Sequence, residues 1–450
     1  MNRVEKGVAA GLAALAFGVS GPSRAVEGTG QLLAAEGTEA LEAKIAQGPT
    51  LGDLTAYAYR ANPMIAAVRQ EWRVTVEKYR VDVAHENPEV MIEGMYITDT
   101  FGERAGPDDW KITLSQPIPL FGRLGTAGEV SQADARIARL KLDATVRDVA
   151  VQIRESYEEL LYLRDGKRVA AANRDLLDQL RKAGETAYAG NRAALVDVLK
   201  AQAQSGQLQF DALLLEELER TEKTRLNSLL SRPADAVIGP LVDEPPRPVV
   251  YAVEEVYPLA EANLEEIRIA QAGVEKAQAM LSLAHYENLP EVKLGLSYGE
   301  QNLERQVGLQ ATFMLPVWPG KNSGRLGAAR ADVERMRAMR VNQVNESRAT
   351  VRDTYFRVQN SDRLIRLYRD ELIPQAAKAV EAGETWFKQG QGSLSDYLEA
   401  QSAWYNFQLA LARAKADYGK FLARLERLAG RSLTERDAEG KSVESQEGSK

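Results

Sequence analysis

From Leu142 onward the apolar residues keep a spacing of three and four: Leu142, Val146, Val149, Ile153, Leu160 and Leu163. This is the seam of a long coiled-coil helix. No proline interrupts the chain from Thr126 to Tyr188, so the pattern predicts a rod on the order of 90 Å long. Upstream the period is two. Val90, Ile92, Gly94 and Tyr96 share one face of an expected strand, and Ile112, Leu114, Gln116 and Ile118 share one face of another that begins at Trp110. Thr98 to Asp109, with Gly102, Gly106 and Pro107, reads as the hairpin loop between them. Before the strands the chain is helix-permissive from Leu51 to Ala84, with a fresh start at Asn62-Pro63 and a stop at Pro88. Residues 26–50 are weakly patterned and predict no element.

The whole pattern then recurs. AGETAYAGNRAALVDVLKAQ from Ala183 aligns without a gap on AGETWFKQGQGSLSDYLEAQ from Ala382, and Gly122-Arg123-Leu124-Gly125 is identical to Gly324-Arg325-Leu326-Gly327. Pro88-Glu89-Val90 recurs as Pro290-Glu291-Val292, and Asn62 as Asn263. A tandem duplication accounts for this order. It predicts a first repeat over 26–232, with strands near 89–98 and 110–119 and long helices near 123–188 and 194–230. The second repeat spans 251–430, with strands near 291–298 and 306–315, a loop from Gly299 to Arg305, and long helices near 324–388 and 394–429. Four X-Pro pairs over 233–250 make a linker, Pro374 should kink the second rod, and the polar tail over 431–450 reads as disordered.

Composition narrows the destination. Arg3 and Lys6, a small apolar run over 7–19 and the small residues around Ala25 form a secretory signal peptide over 1–25. No later stretch is long and apolar enough for a membrane helix, so any membrane contact falls to the strands. The net charge of -7 argues against a nucleic-acid partner, and the absence of Cys excludes disulfides, thiolate metal sites and a lipidated N-terminal cysteine. His85 and His285, each expected in the last turn of a helix, suit the helix dipole better than a metal. No cofactor, metal site or catalytic group is expected, and the chain does not read as an enzyme.

Four strands close no useful barrel and leave two unpaired edges, which lipid does not tolerate. Several identical chains sharing one barrel, with their long helices side by side as a tube, resolve this. The whole mature chain resembles the TolC family of outer-membrane efflux factors. The signal peptide, the duplicated halves, Asn62-Pro63, the Pro-Glu-Val strand entries, the proline turn before the long helix and the Gly390 to Gln401 turn carry the resemblance. It implies a mainly α protein with a β-barrel segment: a homotrimeric α/β-barrel tube built from long helical hairpins and four membrane strands per chain. It also implies an outer membrane location with a large periplasmic part, docking to a periplasmic adaptor (membrane fusion protein), and an inner-membrane pump of the RND type.

Carried over onto this sequence, the family's aperture carboxylates fall on Asp396 and Glu399, with Asp197 and Lys200 at the corresponding places of the first repeat. The helix-turn tips, expected to touch the adaptor, comprise Gly190, Asn191, Arg192 and Leu195 in the first copy and Gly390, Gly392 and Leu394 in the second. Solvated helix-face charge is the bland reading of Asp396 and Glu399. Trp386, Phe387 and Tyr397 fit either adaptor contact or tip packing. The rival architecture is a periplasmic coiled-coil adaptor or structural protein without a barrel, which would carry one hairpin where this chain has two full repeats.

Overall fold

The computed structural model describes residues 38–95, 109–119, 122–190, 194–243, 245, 247–301 and 304–436. The expected signal peptide, most of the first hairpin loop, and Asn191 and Arg192 lie outside these residues. Among the described residues three helices precede the first strand: α1 (Thr38–Gln47), α2 (Leu51–Ala61) and α3 (Pro63–Asp82). Helix α1 departs from the sequence expectation. Leu41 and Ile45 stand one turn apart and are buried in a core with Leu54, Tyr57, Ile65 and Ile153, so two apolar residues suffice to order a weakly patterned stretch. Asn62 caps α3 by accepting from Met64 N–H and Ile65 N–H, and its Nδ2 donates to Leu229 O at 2.8 Å. The second copy divides these tasks. Asn263 Nδ2 donates to Ala429 O at 3.1 Å, while Leu264 takes the cap position.

Strands β1 (Glu89–Met95), β2 (Asp109–Ile118), β3 (Glu291–Gln301) and β4 (Glu304–Met314) form one antiparallel sheet in the order β1-β2-β3-β4, so the β2–β3 pairing joins the repeats. The second hairpin is longer than expected: Gly299 pairs with Lys111, and a Cβ at Gly299 would come within 2.3 Å of Trp110 O. A residue that looks like a turn signal is thus a site of close strand approach. The register sorts the faces. Val90, Leu114, Leu296 and Leu309 lie opposite one another across the sheet, as do Ile92, Ile112, Tyr298 and Val307, and all are exposed. The other face carries Glu89, Ser115, Lys293, Ser297, Gln310 and Thr312.

Helices α4 (Arg123–Ala189) and α5 (Leu195–Leu229) form the first long hairpin. Gly122 opens it at φ 95°, where a Cβ would lie 2.4 Å from Tyr286 Oη, so this turn needs glycine. After α6 (Val253–Asn263) and α7 (Glu265–Tyr286), the second hairpin runs through α8 (Pro319–Arg366), a π-helical segment (Leu367–Leu372), α9 (Ile373–Lys388) and α10 (Leu394–Ala429). The π segment stands where Pro374, lacking an N–H, leaves the carbonyl four residues earlier without its helical partner. Side by side, α5, α4, α10 and the α8/α9 rod make a wall, in which α4 meets α10 and thereby joins the two repeats. His285 lies in the last turn of α7 with Nδ1 2.8 Å from Leu281 O, whereas His85 falls beyond the end of α3. The tail departs from expectation up to residue 436: Leu433 is fully buried and Val250 N–H donates to its carbonyl. Among the described residues no helix is long and apolar enough to cross a membrane.

Candidate functional site: the helical tips

Each AGET glycine receives a side chain of α10. A Cβ at Gly184 would lie 2.6 Å from Leu394 Cδ2, and one at Gly383 would lie 3.3 Å from Tyr397 Cα. The two glycines therefore let α10 approach both outgoing rods, α4 and α9, near the tip. Leu394, Tyr397 and Leu398 are buried there in one core with Leu177, Leu180 and Ala201. Burial raises the Tyr397 hydroxyl pKa, helped by the nearby Glu384 carboxylate. Tyr397 is thus tip packing, and Phe387 leans on the same core, while Trp386 stays exposed.

The two tips differ. Leu195 is 50% exposed and Leu394 is 1% exposed. Gly190 ends α4 at φ -88°, whereas Gly390 takes the left-handed φ of 71°. Gly392 faces Trp386, whose Cβ would be 2.9 Å from a Cβ placed there. Ser393 caps α10 by accepting from Asp396 N–H at 3.0 Å. This leaves the Asp396 carboxylate in the first turn, where the helix dipole favours an anion. Asp396 and Glu399 are both exposed, and neither is paired with a cation among the described residues. Asp197 is half-buried at the third position of α5. Lys200 Nζ donates to Ser395 Oγ at 2.8 Å, a link from the first tip to the second.

Away from the tip, the α4–α10 seam turns ionic. Arg427 reaches Asp148 at 2.8 Å, Arg154 reaches Glu426 at 3.1 Å, Arg413 reaches Glu159 at 3.0 Å, and Lys420 also pairs with Glu159. The start of α7 adds Glu265, 1% exposed, with Arg147 Nε at 3.1 Å. Burial raises the Glu265 pKa despite Arg147 and Arg427, and raises that of Asp143 despite Arg139, Arg147 and Arg268. Sequence reasoning missed this seam, because the charged partners on α4 and α10 lie far apart in the chain. The described residues contain no group of three or more His, Asp or Glu that could hold a metal ion.

A duplicated unit of paired strands and paired long rods, whose sheet carries one apolar exposed face, defines a subunit of an outer-membrane channel. The chain belongs to the family described as Outer membrane efflux protein, whose signature matches residues 57–232 and again 256–431. Each boundary of the second match stands 199 residues after its counterpart in the first, the offset that relates the two AGET segments. No curated protein matches. Among solved structures, the outer membrane protein VceC of Vibrio cholerae is 16% identical with a TM-score of 0.72, over 85% of this chain and 96% of that one. The Campylobacter jejuni CmeC outer membrane channel is 13% identical at 0.72, over 86% and 87%. The Neisseria gonorrhoeae MtrE outer membrane channel in its open state is 17% identical at 0.67, over 86% and 91%. At these identities the likeness is one of fold, and the efflux role in the outer membrane follows from the family.

Proposed function

We propose that three copies of this chain form the exit duct of a tripartite efflux pump, passing substrate from a periplasmic adaptor and an inner-membrane pump of the RND type to the exterior. The carrying observation is the sheet: an apolar exposed face and two edges, β1 and β4, without a strand partner among the described residues. Three such sheets joined edge to edge make a twelve-stranded barrel with the apolar face toward lipid and the polar face toward the lumen. The helical wall is open in the same way. Phe210, Leu213 and Leu214 on α5 and Met339, Val341 and Phe356 on α8 are exposed at its two sides, and a neighbouring copy would cover them.

At the tips, Asp396 and Glu399 from each chain converge on the axis and favour cations at the narrowest point, with Asp197 contributing from the first repeat. Gly190, Leu195, Gly390, Gly392 and Leu394 belong to the turns that meet the adaptor, as do Asn191 and Arg192; of these the exposed Leu195 offers the apolar contact. Outer-membrane fractions from cells making the chain are expected to yield a heat-resistant SDS trimer. A soluble periplasmic monomer would sink this reading in favour of an adaptor-like or structural coiled-coil protein.

A further inference from the structure

Among the described residues, two fully buried amide side chains stand in the tip half of the α4–α10 seam. Asn173 on α4 and Gln401 on α10 are 1% and 2% exposed, inside a core built from Leu177, Leu398 and Tyr405. Gln401 Nε2 donates to Asn173 Oδ1 at 2.5 Å, and Asn173 Nδ2 donates to Val169 O on its own helix. Gln401 Oε1 is buried with no partner. Gln202 occupies the same place in the first copy and is exposed on α5, so the burial belongs to the second copy alone.

Such a pair is a poor choice for stability. An apolar pair of similar volume would avoid the buried, unmatched acceptor and its desolvation cost. It is a good choice for register. Apolar seams tolerate sliding and rotation, whereas two short amides meet in one setting only, and moving α10 by a single residue, about 1.5 Å, breaks the bond and strands further buried polar groups. Gln401 lies five residues from Asp396 on a continuous helix, so its setting on α4 is passed directly to the tip carboxylates.

We propose that the Asn173–Gln401 bond is the register pin of the second tip, setting the axial and rotational position of α10 on α4 and with it the positions of Asp396 and Glu399. The inference rests on the reading of those two carboxylates as the constriction of the duct. Both pin residues are positioning residues; neither touches the conduit.

Single-channel recording of the full-length chain in planar bilayers tests it. Asn173→Leu with Gln401→Leu is expected to keep or raise the temperature at which the trimer dissociates, yet to lose the single conductance level, giving several levels with differing cation preference. Exchanging the amides, Asn173→Gln with Gln401→Asn, is expected to restore one level. Gln401→Met, similar in shape but leaving Asn173 Oδ1 unpaired, supplies an independent variant should the leucine pair misassemble, and is expected to split the levels too. One unchanged level with unchanged cation preference in a leucine-pair or Gln401→Met trimer overturns the pin. Asp396→Asn with Glu399→Gln, recorded alongside, separates the two ideas. If that pair leaves cation preference unchanged, the constriction reading falls, and the pin stands or falls on the conductance levels alone.

Discussion

Lys200 Nζ lies 2.8 Å from Ser395 Oγ, so the N-terminal ends of two helices from different repeats are tied together at the tip. Both partners are at the surface, and an exposed contact of this kind contributes up to about 1 kcal/mol, a factor of about five in an equilibrium. It therefore biases the second tip toward the first without locking it.

Lys200→Ala is accordingly expected to change the fraction of time the channel spends open by about that factor. Single-channel recordings at low and high salt check it, and the difference from the parent protein should persist at high salt, because the Ser395 hydroxyl carries no charge for salt to screen.

The two tips should respond unequally to the same substitution. Leu394→Ala removes a buried side chain resting on Gly184 and is expected to destabilise by about 2–5 kcal/mol. Leu195→Ala, at a half-exposed side chain, should stay within about 0.5 kcal/mol. Thermal unfolding of the two variants in detergent compares them directly.

The sheet makes a similar pair. Leu309 is 91% exposed on the apolar face of β4, and its neighbour Gln310 points to the polar face. Leu309→Arg is expected to cost about 2–4 kcal/mol in the membrane and to reduce the trimer recovered from outer membranes, whereas Gln310→Arg should be tolerated.

The Glu265 junction predicts a pH dependence. Burial, the largest influence, holds its pKa above the ordinary 4.5, so the folded chain binds this proton more tightly than the unfolded one. The contribution to stability is then fully present below the ordinary value and is lost as pH rises from there through the raised value. Asp143, raised in the same way from 3.8, acts in the same direction. Melting temperatures measured from pH 4 upward should show a smaller decline for Glu265→Gln than for the parent protein.

Much of this fold was legible because its signals are local. The alternation through Ile112 and Leu114 and the three-and-four spacing through Ile153 and Leu163 depend only on each residue's neighbours in the chain. Duplication then supplied the second half. What it could not supply was environment. Gln202 and Gln401 share a motif, yet one is exposed and the other buried; Leu195 and Leu394 divide the same way. Those differences arise because α10 packs on both α4 and α9, a long-range choice. Gly299 misled for the same reason, since its place in the ladder is set by Lys111 on another repeat.

We propose above all that this chain forms a cation-preferring duct with its constriction at Asp396 and Glu399. Purified trimer in a planar bilayer, under a salt gradient, tests it most directly. The parent protein should conduct with a reversal potential on the cation side and be blocked by added multivalent cations, and Asp396→Ala with Glu399→Ala should abolish the block and move the reversal potential toward zero. A protein that inserts no channel, or a double variant whose block and reversal potential match those of the parent, would contradict it.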